Sequence, residues 1–261
     1  MVELGCNGFQ ETESALLCYF DKARWSEEKM ESFRRAMKSM LNAISPNLSA
    51  GFREFTEENW NEQWEQSLKP VRAGKHVVIK PSWTLYEEEP GDVIITIDPK
   101  MSFGTGYHET TRLTLQLIER YLLHGFRVLD VGTGTGVLAI AAVKLGARSA
   151  VGIDIDAWSI ENARENVLLN RASGDVTIAE TPIEHLSPDS FDLIAANLTL
   201  NTNIELLPLF AKRLDAHGYL ILSGMLEADA GNMLSALESN RFRVVERADE
   251  HGWIAIVAQH S

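Results

Sequence analysis

Residues 128–136, Val-Leu-Asp-Val-Gly-Thr-Gly-Thr-Gly, set three glycines on alternate positions, Gly132, Gly134 and Gly136, with a carboxylate, Asp130, two residues before the first. Glycine lets a backbone turn tightly and approach a ligand with no Cβ in the way. An apolar strand, 127–129, leads into this loop, and a helix-forming run, 137–145, follows it and closes on Gly146. The free N–H groups of a helix start would face whatever the loop holds. A second strand, 150–153, ends in Asp154, 22 residues beyond Gly132. That is about where a βαβ unit puts the carboxylate that binds ribose hydroxyls. The unit reads as a nucleoside site.

Which nucleoside is decided by the departures from the dinucleotide fingerprint. That fingerprint needs glycine at the first, third and sixth positions, and the sixth here is Val137. S-adenosylmethionine carries no pyrophosphate; its methionine arm has an ammonium and a carboxylate. Asp130 beside the loop suits the ammonium, and bare amides suit the carboxylate. S-adenosylmethionine is the favoured ligand, with a nicotinamide or flavin nucleotide, or a glycine-rich turn with no ligand, as the alternatives.

Two further constellations sit near this unit in the chain. The strand 191–196 runs into Asn197-Leu198-Thr199-Leu200. In an open α/β sheet, ligands bind beyond the carboxyl ends of the strands. Asn197 would then face the transferable methyl group, its amide accepting a hydrogen bond from a substrate amine and orienting the lone pair. The competing reading is a loop asparagine that ties its own backbone. The motif is not Asn-Pro-Pro-Tyr, often found in methyltransferases of adenine or glutamine amides, which argues against both substrates. Residues 98–111, Asp-Pro-Lys-Met-Ser-Phe-Gly-Thr-Gly-Tyr-His-Glu-Thr-Thr, suggest a binding loop folded over the cofactor. Phe103 can cover the adenine or the sulfonium. Thr110 or Thr111 can cap the helix expected over 111–123. His108 is expected to hydrogen-bond rather than act as a base, since solvent can deprotonate an amine beforehand. No metal site is expected.

Around these residues, strands and helices alternate from Asp98 onward, which implies a mostly parallel sheet with helices on both faces. Strands are expected at 127–131, 149–154, 175–179, 191–196, 218–223, 242–247 and 253–258. The last two are close enough for a hairpin through 248–252, hence a closing antiparallel strand. Upstream, the first 55 residues read as a small α+β unit. It has a strand at 15–20, a helix capped by Ser26 with Met30, Phe33, Met37, Leu41 and Ile44 on one face, and a short strand at 52–55. A connecting helix over 57–68 carries Trp60 and Trp64 one turn apart, which pack the connector against a domain or, as the alternative, stack a ligand. Strands at 76–80 and 93–98 complete the connector. The expected domains are therefore 1–55, 56–97 and 98–261.

Composition narrows the classes. At 261 residues the chain has room for one large domain or two small ones. No apolar run reaches the ~18–20 residues of a membrane span, and the first residues lack the basic start and apolar core of a signal peptide. Cys6 and Cys18 are the only cysteines. No disulfide framework is implied, and the expected location is a reducing cytoplasm. The net charge of −13 argues against broad, unspecific nucleic-acid binding and is compatible with a basic partner.

Seven strands with an antiparallel ending resemble the common S-adenosylmethionine-dependent, Rossmann-like methyltransferase fold. More narrowly, the chain from about Glu58 onward resembles the methyltransferases of the eleventh protein of the large ribosomal subunit. The segments that carry the resemblance are Trp60-x-x-x-Trp64, Pro81-Ser82-Trp83, and the loop from Asp98-Pro99 through Phe103-Gly104-Thr105-Gly106 to His108-Glu109-Thr110-Thr111. It continues through 130–142, then Gly152-Ile153-Asp154-Ile155-Asp156 and Ala196-Asn197-Leu198. The resemblance implies cofactor contacts at Thr111, Gly132, Asp154 and Asn197, and methyl transfer to lysine side chains and the N-terminal amine of the ribosomal protein. It also implies a small N-terminal domain that holds this substrate. Here that domain matches weakly, as a reduced ferredoxin-like unit without its opening strand and helix. The expected enzyme is a monomer, with Asn197 as its catalytic residue. The rival functions are methylation of another protein or small molecule, and a cofactor-binding adaptor with no turnover.

Overall fold

The structure, a computed structural model, describes residues 8–11, 16–19, 25–45, 49–52, 67–100, 102–187 and 189–261. The chain divides into two compact units, Met1–Glu58 and Asn59–Ser261.

In the first unit β1 (Gly8–Glu11) pairs antiparallel with β2 (Leu16–Tyr19), Gly8 opposite Tyr19 and Glu11 opposite Leu16. The strand at Gly8–Glu11 escaped the sequence reading, which placed only its partner, at 15–20. Helix α1 (Glu27–Ile44) is capped by Ser26, whose hydroxyl accepts from the Lys29 N–H at 3.3 Å. Met30, Phe33, Met37 and Leu41 are half-buried along one face, and Ile44 at its end is exposed. Phe33 packs edge-on against Trp25 and Phe52. The expected strand at 52–55 and connecting helix at 57–68 fall, except for Phe52, Ser67 and Leu68, outside the described residues.

Among its described residues the second unit contains two sheets. A small one joins β3 (Val71–Arg72), β4 (Val77–Lys80) and β5 (Val93–Thr96), antiparallel and then parallel. The large one contains β6 (Arg127–Val131), β7 (Ser149–Asp154), β8 (Val176–Glu180), β9 (Phe191–Asn197), β10 (Leu214–Leu226), β11 (Phe242–Glu250) and β12 (Trp253–His260). Its spatial order is β11-β12-β10-β9-β6-β7-β8, parallel except for β12, which runs against both neighbours. The order reverses between β6 and β9, and the open end of such a reversal is where α/β sheets take their ligands.

Alternation along the central strands builds two cores. Val128, Leu193, Ile221 and Val257 face α2 (Glu109–Tyr121), α3 (Val137–Lys144) and the small sheet. Leu129, Ile194, Leu222 and Ile256 face α5 (Leu200–Arg213) and α6 (Ala230–Ser239). Helix α4 (Ala157–Leu169) adds Val167 to the first core. Helix α3 is apolar on every side, Val137 to Ala142 all being buried. A helix with no polar face needs cover all round; here it shares one core with the large sheet, α2 and the small sheet.

Two boundaries differ from expectation. Helix α2 starts at Glu109, and its cap is His108, whose side chain accepts from the Thr110 N–H; Thr110 and Thr111 are buried in the first turn instead. The last hairpin turns in two residues, His251 (φ +47) and Gly252 (φ +82), rather than over 248–252. Positive φ at both central residues is what a type I′ turn needs, and it matches the twist of the strands it joins.

Candidate functional site

The carboxyl ends of β6, β7 and β9 lie side by side, with Val131 level with both Ile153 and Ala196. Asp130, Asp154 and Asn197 are therefore brought together, one from each strand. The glycine loop leaves β6 at Gly132. All three glycines have left-handed φ, +72, +52 and +82. A Cβ on Gly134 would stand 2.4 Å from the Phe103 carbonyl oxygen, and one on Gly132 would stand 2.4 Å from Leu198 Cδ2. The glycines are thus required by the close approach of two other segments, the 98–108 loop and the Asn197-Leu198 turn. The first is fixed by Thr135, whose N–H donates to Phe103 O (3.0 Å) and whose hydroxyl donates to Gly104 O (2.8 Å).

The loop's own N–H groups are occupied, which departs from the expectation of bare amides. Gly132 and Thr133 both donate to Ile153 O, Gly134 to Asp154 Oδ2, Thr135 to Phe103 O and Gly136 to Thr133 O. A turn this tight folds its donors back onto neighbouring strands, so its contribution is close approach rather than anion capture.

Asp130 is fully buried. Its Oδ2 accepts from the Thr133 hydroxyl at 2.6 Å and the Ala139 N–H at 3.2 Å, while Oδ1 is shielded from solvent with no partner among the described residues. Burial pushes its pKa up to about 7, against the pull of the Thr133 and Ala139 hydrogen bonds. Asp154 is held by three amides: Ile155 and Asp156 donate to Oδ1 at 2.8 and 3.1 Å, and Gly134 donates to Oδ2 at 3.1 Å. A carboxylate offers about four acceptor sites, so Asp154 keeps room for a hydroxyl donor.

Asn197 ends β9. Its Nδ2 lies 3.5 Å from the Thr111 hydroxyl, and its Oδ1 is shielded with no partner among the described residues. Thr111, in the first turn of α2, is buried, so the expected pair meets across the sheet end. Phe103 is 55% exposed, its ring 5.3 Å from that of His108. His108 in turn meets Trp253 edge-on at 4.8 Å. Trp253 escaped the sequence reading; its signal was an aromatic residue directly after a turn, at the head of the final strand. Two open clefts flank this aromatic row. One, of about 440 Å³, is lined by Phe103, Tyr107 and His108; the other, of about 410 Å³, by Thr199, Asn201, Gly224, Asp229 and Trp253. Among the described residues no three metal-ligating side chains gather, and no helix is long and apolar enough to cross a membrane.

Comparison with known proteins agrees with this geometry. Residues 5–261 match the family model described as ribosomal protein L11 methyltransferase (PrmA). The chain belongs to this family. It is 40% identical over 214 residues to the ribosomal protein L11 methyltransferase of Pelotomaculum thermopropionicum, covering 82% of this chain and 70% of that one. It is 34% identical over 262 aligned residues to the Chlorobaculum tepidum relative of the same name, covering 98% of this chain and 89% of that one. The crystal structure of a ribosomal protein L11 methylase from Lactobacillus delbrueckii subsp. bulgaricus superposes with a TM-score of 0.69 at 33% identity, covering 74% of this chain and 99% of that one.

As a member of this family, the chain is a protein methyltransferase, and S-adenosylmethionine is its methyl donor. The nicotinamide, flavin and ligand-free readings of the glycine loop fall with that assignment. The residues present fit the donor. Asp130 Oδ1 is a buried acceptor with no donor among the described residues, and the glycines leave no side chain over the loop.

Proposed function

We propose that this chain methylates lysine side-chain and N-terminal amines of ribosomal protein L11. The observation that carries the reading is the shielded Asn197 Oδ1, without a partner among the described residues, set at the carboxyl end of β9 beside Thr111. An amide oxygen there can accept an N–H from a neutral amine and turn its lone pair toward the reacting carbon. A polar acceptor held out of water without a partner costs free energy that a bound donor group returns.

S-adenosylmethionine supplies an electrophilic methyl carbon. The chain supplies alignment, and holding two reactants in line is worth about 7–11 kcal/mol. Asp130 holds the ammonium end, Asp154 the ribose hydroxyls, and Gly132, Gly134 and Gly136 keep the loop open to the methionine arm. Thr111 and Asn197 border the methyl group, and Phe103 covers it. Solvent removes the amine's proton before the encounter, so no dedicated base is assigned. Residues 1–55 dock the protein substrate, 56–97 connect, and 98–261 carry the cofactor site. The enzyme acts as a cytoplasmic monomer, and its net charge of −13 favours a basic partner.

The deciding experiment is labelled methyl transfer from S-adenosylmethionine to purified ribosomal protein L11 of the same organism, with mass spectrometry of the product. Label on lysine or N-terminal nitrogen is expected. Label on another protein or a small molecule, with none on this one, would overturn the substrate; cofactor binding with no transfer at all would make the chain an adaptor.

A further inference from the structure

Arg112 stands in the first turn of α2, next to Thr111, and reaches three pieces of chain. Its Nη1 donates to the Tyr107 carbonyl at the end of the 98–108 loop. Its Nε and Nη2 both donate to Glu250 Oε1, at 2.9 and 2.5 Å. Nη2 also lies 3.3 Å from Glu109 Oε1. The arginine side chain is only 16% exposed and the two glutamates 25% each. Ion pairs shielded to this degree are stiffer than those on an open surface.

Glu250 is the last residue of β11. The turn beyond it is two residues long, and Trp253 follows at once. A type I′ turn has little freedom, so whatever holds Glu250 also holds Trp253. The turn has a second tie, His251 Nδ1 to Glu109 at 3.4 Å, on a well-exposed imidazole. Trp253 lines one of the two clefts and the Phe103–His108 pair lines the other, and the two walls meet where His108 packs edge-on against Trp253. One guanidinium is therefore bonded to the elements that carry both walls. Lysine would not replace it, because the planar fork makes several bonds in fixed directions while an ammonium is a point charge. With no cation there, Glu109 and Glu250 would face each other as like charges.

We propose that Arg112 is a positioning residue: through Glu250 and Tyr107 it fixes Trp253 against the Phe103–His108 wall, and so controls which amine-bearing substrate enters the site. The proposal takes the site of transfer to be the one around Asn197. Arg112 touches neither Asp130, Asp154 nor the glycine loop, so its effect should fall on the protein substrate and not on the cofactor.

The test uses the full chain with Arg112→Met, Arg112→Lys and the exchanged pair R112E/E250R. Misplacement on the scale of an ångström costs up to about 100-fold in rate. Arg112→Met should therefore lower kcat/KM for the ribosomal protein about 10- to 100-fold, mainly through KM. The Kd of S-adenosylhomocysteine should change far less than KM for the protein, because Thr135 still ties the Phe103-Gly104 segment to the glycine loop. The exchanged pair should recover several-fold over R112E alone, and Arg112→Lys should fall between Met and wild type. In protein labelled with fluorotryptophan, the Trp253 line, assigned by Trp253→Phe, should shift or broaden in Arg112→Met. A well-folded Arg112→Met with wild-type kcat/KM and an unmoved Trp253 line would overturn the proposal. If that variant does not fold, Glu250→Gln gives the same reading from the other partner. If the wild type transfers nothing to the ribosomal protein, the functional reading fails, and the fluorine line alone decides whether Arg112 holds Trp253.

Discussion

Asp130 and Asn197 each keep one oxygen shielded, with no partner among the described residues, at the same end of the sheet. An unsatisfied buried acceptor costs about 1–3 kcal/mol, a penalty consistent with a partner that arrives on binding. For Asp130 the consequence is a pH dependence. An unfolded aspartate titrates near 3.9, while the folded group is pushed up to about 7. Between those values the native state holds a proton that the unfolded chain has lost. The group's contribution to stability is thus complete below about pH 4 and is lost as pH rises through about 7. Asp130→Asn removes this dependence. Its melting temperature should exceed that of the wild type by several degrees at pH 8 and converge with it near pH 4. The same variant cannot pair with an ammonium, and S-adenosylmethionine should bind roughly 10- to 150-fold more weakly. In the wild type, binding near pH 6.5 should release protons, read as a calorimetric enthalpy that varies with the buffer. An enthalpy independent of buffer would place the carboxylate already ionised. Asn197 separates alignment from binding. Asn197→Ala should lower kcat by about 10²–10³ and change cofactor affinity much less. Asn197→Asp, which still accepts a hydrogen bond, should lose less. An unchanged kcat in the alanine variant, with only the melting temperature lowered, would make Asn197 a structural loop residue.

At the level of elements, the glycine loop behaves as a junction between β6, the Phe103-Gly104 segment and Leu198. Gly134→Ala meets both obstacles at once: a φ of +52, costly for an L side chain, and a Cβ 2.4 Å from the Phe103 carbonyl. The backbone carbonyl cannot swing aside as a flexible side chain can, so the 98–108 loop must lift. Cofactor affinity should fall more than tenfold, about 1.4 kcal/mol or more, with limited proteolysis showing cleavage within 98–108. Equal affinity and equal resistance would mean that the two segments are not packed as described. Which elements were legible follows from their physics. The central strands are buried on both faces and read as continuous apolar runs bounded by Gly and Asp, so β6 and β7 were placed at their observed ends. The carboxylate and asparagine at those ends were legible for the same reason, since a strand's carboxyl end is a position in the sequence. The start of α2 was not, because two buried threonines look like caps, while the actual cap is a histidine nitrogen. Strand β3 is only two residues long, and β1 carries no alternation that marks a strand. Trp253 and Arg112 were invisible because their partners, His108 and Glu250, lie far away along the chain.

For the whole molecule, charge is the property that reaches furthest. The chain carries 37 acidic and 24 basic side chains. A ribosomal protein that pairs with RNA is expected to be basic, so encounter with this enzyme should be steered electrostatically. Steering weakens once charges lie more than a Debye length apart, and that length shrinks from roughly 30 Å at 0.01 M to roughly 8 Å at 0.15 M salt. kcat/KM for the protein substrate should then fall about tenfold or more across that range, while kcat at saturation holds nearly constant. A neutral short peptide bearing one lysine should show little salt dependence in the same assay. The second expectation at this scale concerns the division of labour between the two units. Removing residues 1–55 should leave S-adenosylmethionine affinity within about twofold, because the cofactor residues all lie beyond Asp98, in the other compact unit. Transfer to the intact ribosomal protein should be abolished, and transfer to the short peptide should survive at its low rate. That combination separates docking from chemistry: loss of both activities would tie the first unit to the transfer site itself, and full-rate transfer to the ribosomal protein would remove docking from its role.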